Sequence, residues 1–503
     1  MRPVWRVADV RAAEAGLMAT LPPGTLMRRA AAGLARRCAL LLADRGGVYA
    51  ARVLLLVGSG DNGGDGLFAG AHLARRGAAV SALLLTPGRA HADGLAAFRA
   101  AGGQLVEHPP AQVDLVLDGI VGIGGSGGLR ETADQLAASL VGRCGRDGEP
   151  AAVVAVDVPS GVVVDTGHVP VSASGRPSAV RADVTVTFGA LKPALVVGPA
   201  AALAGQVELV DIGLRPCLRG SPALWVTEWS DLVGWWPRPG PAAEKYTRGV
   251  VGVATGSATY PGAAVLSVGG ALVGPTGLVR YAGGARDEVL RQHPSVIATD
   301  RVADAGRVQA WVCGSGLGTG DGAAAELRAV LAAPVPVVLD ADALTLLVDG
   351  SLADQLRRRE APIVVTPHDR EFTRLCGETP GTDRVAATLR LAAWMNAVVL
   401  LKGDRTVIGT PDGRAYVNPT GTPALATGGT GDVLAGLLGS MLAAGLAPER
   451  AAAAAAYLHG LAGREAARGG PVTAPDVAAA LRPVLARLGV DTEPDRRGRV
   501  RVR

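Results

Sequence analysis

The stretch Ala426–Gly436, ATGGTGDVLAG, places three glycines before a run of small apolar residues suited to a helix. Glycines let backbone N–H groups turn toward an anion, and a helix that starts near Asp432 would point its positive end at the same place. An aspartate beside bound phosphate suits a general base that activates an attacking hydroxyl. The alternative is a tight loop with Asp432 as a helix N-cap. The predicted phosphate-binding residues are Gly428, Gly429, Thr430 and Gly431.

The composition around this loop is that of a large α/β protein. The chain has 503 residues, of which 49% are hydrophobic and only 3% aromatic, so its cores are built from Ala, Val and Leu. Since one hydrophobic core rarely supports this length, we expect two domains. The net charge of +5 is small and no basic face with interleaved aromatic residues is visible, so we expect no nucleic-acid partner.

The cysteines and the apolar segments indicate the compartment. Five widely spaced cysteines form no C-x-x-C pair, which indicates a reduced, cytoplasmic protein without a zinc site. The N-terminus has no apolar signal segment. The uncharged window Gly249–Val279 is interrupted by Pro261, Pro275 and several glycines, which favours a buried strand, a glycine loop and a helix over a membrane span. We expect no membrane partner and a homo-oligomer of unspecified size.

In the N-terminal half, a helix predicted at Met18–Ala43 leads into an apolar strand at Val53–Val57. That strand runs into GSGDNGGDG, Gly58–Gly66, and a helical pattern follows. Strand, glycine loop and helix place a ligand at a helix N-terminus. The next strand, Ala79–Thr86, ends without the acidic residue that would hold a ribose, so the ordinary NAD fingerprint fails.

Oxygen-bearing side chains follow three strands of this half. Asn62 lies in the glycine loop, Asp118 follows the next such strand, and Asp157 and Ser160 follow another. Because the carboxyl ends of parallel strands converge on one crevice, Asn62, Asp118 and Ser160 could bind a hard cation. Asp157 would then serve acid–base chemistry. Each residue could instead be a turn residue or a helix cap.

The strings GSGDNGGDG, D-x-x-x-G-x-G from Asp118, and DVPSG at 157–161 resemble the YjeF N-terminal domain family, epimerases of hydrated NADH and NADPH. The resemblance implies a Rossmann-like sandwich over residues 1–217, with potassium at Asn62, Asp118 and Ser160. It also implies that Asp157 is catalytic and contacts the hydrated nucleotide together with Asp61, Asn62, Gly63, Gly64, Asp65, Gly122, Ile123, Gly124, Gly125, Ser126, Gly127 and Gly128. Ser59 and Asp61 replace the family's usual proline and asparagine, and Asp61 adds a negative charge near an anionic substrate.

The segment from Arg215 to Thr247 breaks the pattern and holds four of the seven tryptophans, so we place the domain boundary there. These tryptophans favour packing between domains or subunits over binding a base. After the segment, apolar strands alternate with helical stretches, which predicts a second doubly wound α/β sheet. Polar strings follow its strands: GSGLG (314–318), DADAL (340–344), TPHDREF (366–372) and KGDRT (402–406).

Several of these strand-end residues suit a nucleotide site. Lys402, Gly403 and Thr406 supply a cation, close backbone approach and a hydroxyl, although no G-x-x-x-x-G-K-[ST] string is present. His368 could contact substrate or be a structural hydrogen-bonding residue. Asp340 and Asp342 could influence magnesium indirectly or cap a helix, and we favour the cap.

With YPGAA (260–264) and ATGGTGDVLAG, these strings resemble the YjeF C-terminal domain family in their order along the chain. That family comprises ribokinase-like, ADP- or ATP-dependent dehydratases of hydrated NAD(P)H. The resemblance implies a ribokinase-like α/β domain over residues 225–490 that uses magnesium and ADP, with ATP as the other candidate. The implied contacts to the hydrate are Ala263, Gly318, His368 and Asp432. The adenine nucleotide would be held by Lys402, Gly403, Asp404, Arg405, Thr406 and the predicted phosphate-binding loop.

Three segments depart from this second family pattern. Ser315 and the pair Asp369-Arg370 replace usual proline and proline-glycine, and the segment 274–277 alters a helix end beside the implied substrate site. Both resemblances together imply a bifunctional enzyme that epimerises the hydrates and then dehydrates the S form. One alternative is a ribokinase-like kinase of a small metabolite with a non-catalytic N-terminal domain. The other is a nucleotide-binding scaffold that catalyses nothing.

Overall fold

The computed structural model describes residues 1–125, 127–140, 143–145 and 148–489. Within them the chain divides into two compact units, and the division at Leu224 falls inside the tryptophan-rich segment. The N-terminal unit begins at Pro3. Met1 and Arg2 belong to the C-terminal unit, whereas the sequence predicts an N-terminal domain from residue 1. The first strand, β1 (Arg2–Val4), is an edge strand of the C-terminal sheet.

The N-terminal unit is built on a parallel sheet of seven strands, flanked by helices. The strands lie in the order β4-β3-β2-β5-β6-β7-β8, so the strand order reverses between β2 and β5. They are β2 (Arg52–Val57), β3 (Ala79–Leu84), β4 (Gln104–Leu105), β5 (Leu115–Gly119), β6 (Ala152–Val156), β7 (Val184–Phe188) and β8 (Gln206–Val210). The helices are α1 (Val7–Met18), α2 (Thr25–Ala43), α3 (Asp61–Ala74), α4 (Ala92–Ala100), α5 (Glu131–Leu140) and α6 (Ala200–Leu203).

Strand β2 shows why the strands of this sheet are unbroken apolar runs in the sequence. Successive side chains of a strand point to opposite faces. Leu54 and Leu56 therefore join the core on one face of the sheet, while Leu55 and Val57 join the core on the other. The helix predicted at Met18–Ala43 is wrong in its start, because Pro22 and Pro23 separate α1 from α2.

The C-terminal unit is built on a sheet of mixed direction. The order is β1-β9-β18-β17-β16-β15-β14-β13-β10-β11-β12, and β16, β17 and β18 run antiparallel to one another in turn. The strands are β9 (Leu224–Val226), β10 (Val250–Ala254), β11 (Leu278–Ala282), β12 (Ile297–Thr299), β13 (Ala310–Cys313), β14 (Val337–Leu339), β15 (Ile363–Val365), β16 (Val398–Leu401), β17 (Val407–Gly409) and β18 (Ala415–Val417).

Helices cover this sheet over two hydrophobic clusters. The helices are α7 (Trp229–Trp235), α8 (Pro261–Val273), α9 (Arg286–Gln292), α10 (Asp321–Ala332), α11 (Asp342–Leu346), α12 (Ser351–Arg357), α13 (Asp369–Cys376), α14 (Arg384–Met395), α15 (Thr430–Ala443), α16 (Pro448–Ala466) and α17 (Ala474–Ala486). The predicted fold class of two α/β domains is confirmed, while the antiparallel strands β17 and β18 are an addition that the sequence analysis did not foresee.

Two further sequence expectations concern apolar segments. The window Gly249–Val279 folds as β10, a loop and α8, as predicted. Trp225, Trp229, Trp235 and Trp236 are partly buried against the C-terminal core, and their role between domains or subunits stays a prediction. None of the helices in the described ranges combines the length and the apolar character needed to cross a bilayer.

Helix α15 carries the glycine loop on its N-terminal end and packs closely on α8. A Cβ atom on Gly436 of α15 would lie 1.9 Å from the carbonyl oxygen of Ser267, and one on Gly270 of α8 would lie 2.2 Å from that of Val433. The two helices approach this closely only because glycine occupies both positions. This contact fixes the position of the loop at the start of α15.

We expect Gly436→Ala to lower the melting temperature of the C-terminal unit, at a cost of about 1–3 kcal/mol, because the added methyl group forces α8 and α15 apart. Calorimetry of the full chain measures the shift. Gly322→Ala in α10 is the matched control, since no atom lies within 4 Å of a Cβ placed there. Equal melting temperatures for the two variants would contradict the close-contact argument.

Candidate functional sites

The N-terminal site forms where β2, β5 and β6 end. Asp118 is fully buried near the end of β5, and Ser160 donates hydrogen bonds to it from its hydroxyl (2.6 Å to Oδ1) and its backbone N–H (2.8 Å to Oδ2). Burial raises the pKa of Asp118 to about 6, although the bonds from Ser160 oppose the shift. Asn62 lies in the first turn of α3, and a Cβ on Gly122 would be 2.9 Å from its Oδ1. The structure therefore brings these predicted cation ligands to one end of the sheet.

Asp157 follows β6 with a backbone φ of +66°, in the left-handed region that residues other than glycine rarely adopt. Its Oδ1 accepts hydrogen bonds from Thr187 Oγ1 (3.0 Å), Phe188 N (3.2 Å) and Lys192 Nζ (2.5 Å). Lys192 is only 1% exposed. Such local strain is held only where surrounding contacts fix it, and it often marks a functional position.

A group of carboxylates faces Asp157 from two helices. Burial raises the pKa of Asp65 in α3 well above its usual value, and the charges of Asp157, Asp61 and Glu14 raise it further. Burial also raises the pKa of Glu14 in α1, while Lys192 lowers it. Asp65 Oδ1 is buried and has no hydrogen-bond partner within the described chain. Protonation of Asp65 relieves repulsion within this group.

The remaining predicted contacts to the hydrate lie in two loops at the same end of the sheet. Gly63 and Gly64 are buried in the first turn of α3. The second loop, 122–128, meets the turn after β6, because Gly128 N donates to Gly161 O (3.0 Å). Ile123 packs against the N-terminal core, while Ser126 lies outside the described residues. The other predicted loop residues in the described chain are Gly124, Gly125 and Gly127.

The C-terminal site forms at the ends of β13, β14, β15 and β16, which are neighbours in the sheet. Asp340, directly after β14, accepts hydrogen bonds at Oδ1 from Lys402 Nζ (2.7 Å) and Thr366 Oγ1 (2.8 Å). Lys402 also lies 3.5 Å from Glu371 Oε2. Burial alone would lower the pKa of Lys402, but Asp340 and Glu371 outweigh it and the pKa is raised. Lys402 is therefore a firmly held cation.

The preferred interpretation of Asp340 and Asp342 as helix caps is wrong. Helix α11 begins at Asp342 without a side-chain cap, and its N-cap position is Ala341. Asp340 instead binds Lys402, and Asp342 Oδ2 accepts a hydrogen bond from Gly318 N (2.8 Å). Asp342 thereby positions the glycine loop after β13, which lies against Ala263 because a Cβ on Gly316 would be 2.8 Å from Ala263 Cβ.

Asp432 lies in the first turn of α15 rather than at its start. The helix begins at Thr430, and Gly429, with a φ of +87°, occupies the N-cap position, so the N-cap alternative for Asp432 is wrong. Burial raises the pKa of Asp432 to about 7, Asp340 adds to the shift, and Ser315 and Lys402 oppose it. A carboxylate with a pKa near the working pH is suited to accept a proton.

The predicted nucleotide residues divide into those near Asp432 and those turned elsewhere. A Cβ on Gly431 would lie 3.7 Å from both Lys402 Nζ and Asp340 Oδ2, so the glycine loop and Lys402 are neighbours. Arg405 instead donates to the carbonyl of Pro419 (2.5 Å). The hydroxyls of two threonines are occupied by backbone carbonyls: Thr406 binds Gly403 O, and Thr430 binds Leu425 O and Thr427 O. Gly428 and Asp404 complete the predicted set.

His368 is the N-cap of α13. Its Nδ1 accepts hydrogen bonds from Arg370 N (3.1 Å) and Glu371 N (3.2 Å), and Glu371 Oε2 accepts one from His368 N (2.8 Å). The imidazole has a structural role, its Nε2 lies 3.5 Å from Glu371 Oε1, and about half of the side chain is exposed. The structural alternative for His368 therefore applies, and a contact to substrate stays a prediction.

Sequence reasoning missed Lys192, Glu14 and Glu371. One signal could have found Lys192, because the chain has only three lysines among its 50 basic residues, at positions 192, 245 and 402. Two of these three follow sheet strands and bind a site aspartate. Glu371 stands three residues after His368, the spacing of a capping box. The sequence around Glu14 contains no such signal, since only the fold brings α1 to this site.

Comparison with known proteins identifies the family of both halves of the chain. Residues 23–194 match the model of the YjeF-related protein N-terminus, and residues 251–481 match that of NAD(P)H-hydrate dehydratase. The bifunctional NAD(P)H-hydrate repair enzyme Nnr of Mycobacterium tuberculosis is 51% identical over 90% of this chain and 92% of its own length. The chain belongs to this family of repair enzymes.

A second curated relative supports the same membership, and a solved structure is also similar to part of the chain. The Mycobacterium leprae repair enzyme Nnr is 49% identical over 91% of this chain and 93% of its own length. A solved ADP/ATP-dependent NAD(P)H-hydrate dehydratase from Bacillus subtilis, co-crystallised with ATP and Mg²⁺, is 28% identical, with a TM-score of 0.48 over 53% of this chain and 99% of its own. The predicted resemblance to both YjeF families is confirmed, and the kinase alternative is not favoured.

The raised pKa of Asp432 predicts a pH-dependent stability. The carboxyl of the unfolded chain has the ordinary aspartate pKa of 3.8, whereas burial raises the pKa in the folded chain to about 7. Below about pH 4 the carboxyl is protonated in both states, so Asp432 does not lower the free energy of unfolding. As the pH rises from 4 toward 7, the free energy of unfolding falls, because Asp432 ionises more readily in the unfolded chain. We expect Asp432→Asn to raise the melting temperature more at pH 8 than at pH 5. Asp321→Asn on exposed α10 should show no such difference, and a pH-independent Asp432→Asn effect would contradict the prediction.

Proposed function

We propose that this chain is a bifunctional repair enzyme for hydrated NADH and NADPH. The N-terminal unit interconverts the R and S hydrates at carbon 6 of the nicotinamide ring. The C-terminal unit dehydrates the S hydrate at the expense of ADP, giving AMP and phosphate. The observation that carries the proposal is Asp432, a carboxylate with a pKa of about 7 in the first turn of α15, beside a glycine loop and Lys402.

In the C-terminal unit, Asp432 accepts the proton of the hydrate's hydroxyl, whose oxygen attacks the terminal phosphoryl group of the nucleotide. The phosphorylated hydrate then loses phosphate and a ring proton, and the dihydronicotinamide is restored. The N-terminal end of α15 and the backbone of Gly428–Gly431 stabilise charge on the phosphoryl oxygens. Lys402, held by Asp340 and Glu371, adds a fixed positive charge beside that loop.

Magnesium would neutralise the phosphates of the nucleotide when bound. The described residues contain no cluster of three or more His, Cys, Asp or Glu side chains that could hold a metal ion. Mg²⁺ in phosphoryl transfer is commonly held by one or two carboxylates together with substrate phosphates. Asp340 Oδ2, which faces the position of Gly431, is the carboxylate best placed to assist. ADP is proposed over ATP from the family resemblance.

In the N-terminal unit, Asp157 is the proposed acid–base residue of epimerisation. Three donors hold its Oδ1, which leaves Oδ2 for the hydrate. The loops 61–65 and 122–128 would surround the hydrated nucleotide. Asp61 at the start of α3 is exposed, so it can meet an anionic substrate through solvent rather than in a dry contact.

Potassium fits the residues around Asp118. The carboxylate is fully buried, and the structure pairs no cationic side chain with it in the described ranges. A monovalent cation would supply the missing positive charge, and the amide oxygen of Asn62 and the hydroxyl of Ser160 are hard ligands of the kind that such ions accept. The proposed site therefore comprises Asn62, Asp118 and Ser160, which would orient the loop after β5.

The proposed division of labour is tested with a mixture of R and S hydrates of NADH, magnesium, potassium and ADP, followed at the dihydronicotinamide absorbance band. We expect full recovery with the wild type. With Asp157→Asn, the recovered absorbance should stop near the fraction of S hydrate in the mixture. With Asp432→Asn, the rate of recovery should fall by about 10²-fold or more, while the variant still epimerises the hydrates. A repeat with ATP identifies the better nucleotide. A stable phosphorylated hydrate would instead support the kinase alternative.

The potassium proposal has a separate test. Epimerisation of the pure R hydrate, measured by chromatography, should slow when potassium is replaced by tetramethylammonium. Ser160→Ala should raise the potassium concentration needed for half-maximal rate, because one ligand is lost. Dehydration of the S hydrate by the same protein should respond to neither change. Identical epimerisation rates in both salts would show that no potassium site supports the reaction.

A further inference from the structure

Lys192 is a fully buried lysine at the N-terminal site whose role the sequence analysis did not foresee. It lies four residues after the end of β7, and its Nζ donates to Asp157 Oδ1 (2.5 Å), Thr187 Oγ1 (2.9 Å) and Phe188 O (3.0 Å). An ammonium group has three N–H donors, so these acceptors use all of them. Lys192 therefore has no donor left for a substrate.

The identity of this residue is itself informative. The chain uses arginine at nearly all of its basic positions and lysine at only three. A planar guanidinium with five donors does not match three acceptors gathered around one point, whereas a compact ammonium does. Lysine at position 192 is thus explained by the geometry of the three acceptors rather than by a general need for positive charge.

We propose that Lys192 is a positioning residue for epimerisation, which holds Asp157 by Oδ1 and so presents Oδ2 to the hydrate. This inference rests on the proposed epimerase function of the N-terminal unit. Thr187 completes the arrangement, since its hydroxyl donates to Asp157 Oδ1 and accepts from Lys192 Nζ. The strained backbone of Asp157 is then held from its side chain by three donors.

The charge of Lys192 matters because of what else faces Asp157. Glu14 on α1 and Asp65 on α3 both interact electrostatically with Asp157 and with the exposed Asp61, and Arg11 of α1 interacts with Glu14. Lys192 supplies a buried positive charge within this group of carboxyl groups, and it does so through a direct bond to Asp157 Oδ1.

The test is Lys192→Met, which keeps the length of the side chain and removes its charge and donors. At pH 7 we expect kcat for the pure R hydrate to fall about 10²-fold while KM changes less than about twofold, because only the base is affected. Dehydration of the S hydrate should be unchanged. Lys245→Met, at an exposed lysine, is the matched control.

Thr187→Val is a second test that can be used if Lys192→Met does not fold. It preserves the Lys192 to Asp157 pair and removes one hydroxyl, so kcat should fall by a smaller factor, about tenfold, again without a large change in KM. Unchanged kcat in Lys192→Met, or a raised KM with constant kcat, would overturn the inference. A wild-type protein that fails to epimerise would overturn the proposed function itself.

Discussion

A lysine held against an aspartate at the carboxyl ends of parallel strands is the interaction on which both units depend. Lys192 binds Asp157 in the N-terminal unit, and Lys402 binds Asp340 in the C-terminal unit. Buried charges are tolerated only when they are paired and hydrogen-bonded. Each pair therefore fixes the polar end of its sheet, and the chemistry of each site is built around a charge that cannot move freely.

The two pairs serve different purposes. At Asp157 the lysine holds one oxygen of a carboxylate that lies among other carboxyl groups. In the C-terminal unit the lysine pairs with Asp340, whose charge still raises the pKa of Asp432 toward neutrality. One lysine thus orients a proposed base directly, whereas the other pairs with a neighbour of the proposed base Asp432.

Particular residues show which features of the structure could be predicted from the sequence. The strand, glycine loop and helix at Gly58–Gly66 were predictable, because apolar runs and glycines are local signals. The start of α15 was two residues away from the predicted position, and the capping role assigned to Asp340 and Asp342 was wrong. A partner 62 residues away, Lys402, competes for Asp340, and local propensity carries no information about such a partner.

The sequence alone determined two α/β domains, the glycine loops, and the aspartates Asp157 and Asp432 as candidate bases, since each depends on residue type and short spacing. The tertiary structure decided which oxygen of Asp157 is held, that Lys192 holds it, and that Glu14 of α1 faces the same site. It also raised the pKa of Asp432, because burial and neighbouring charges exist only after strands distant in sequence become neighbours in space.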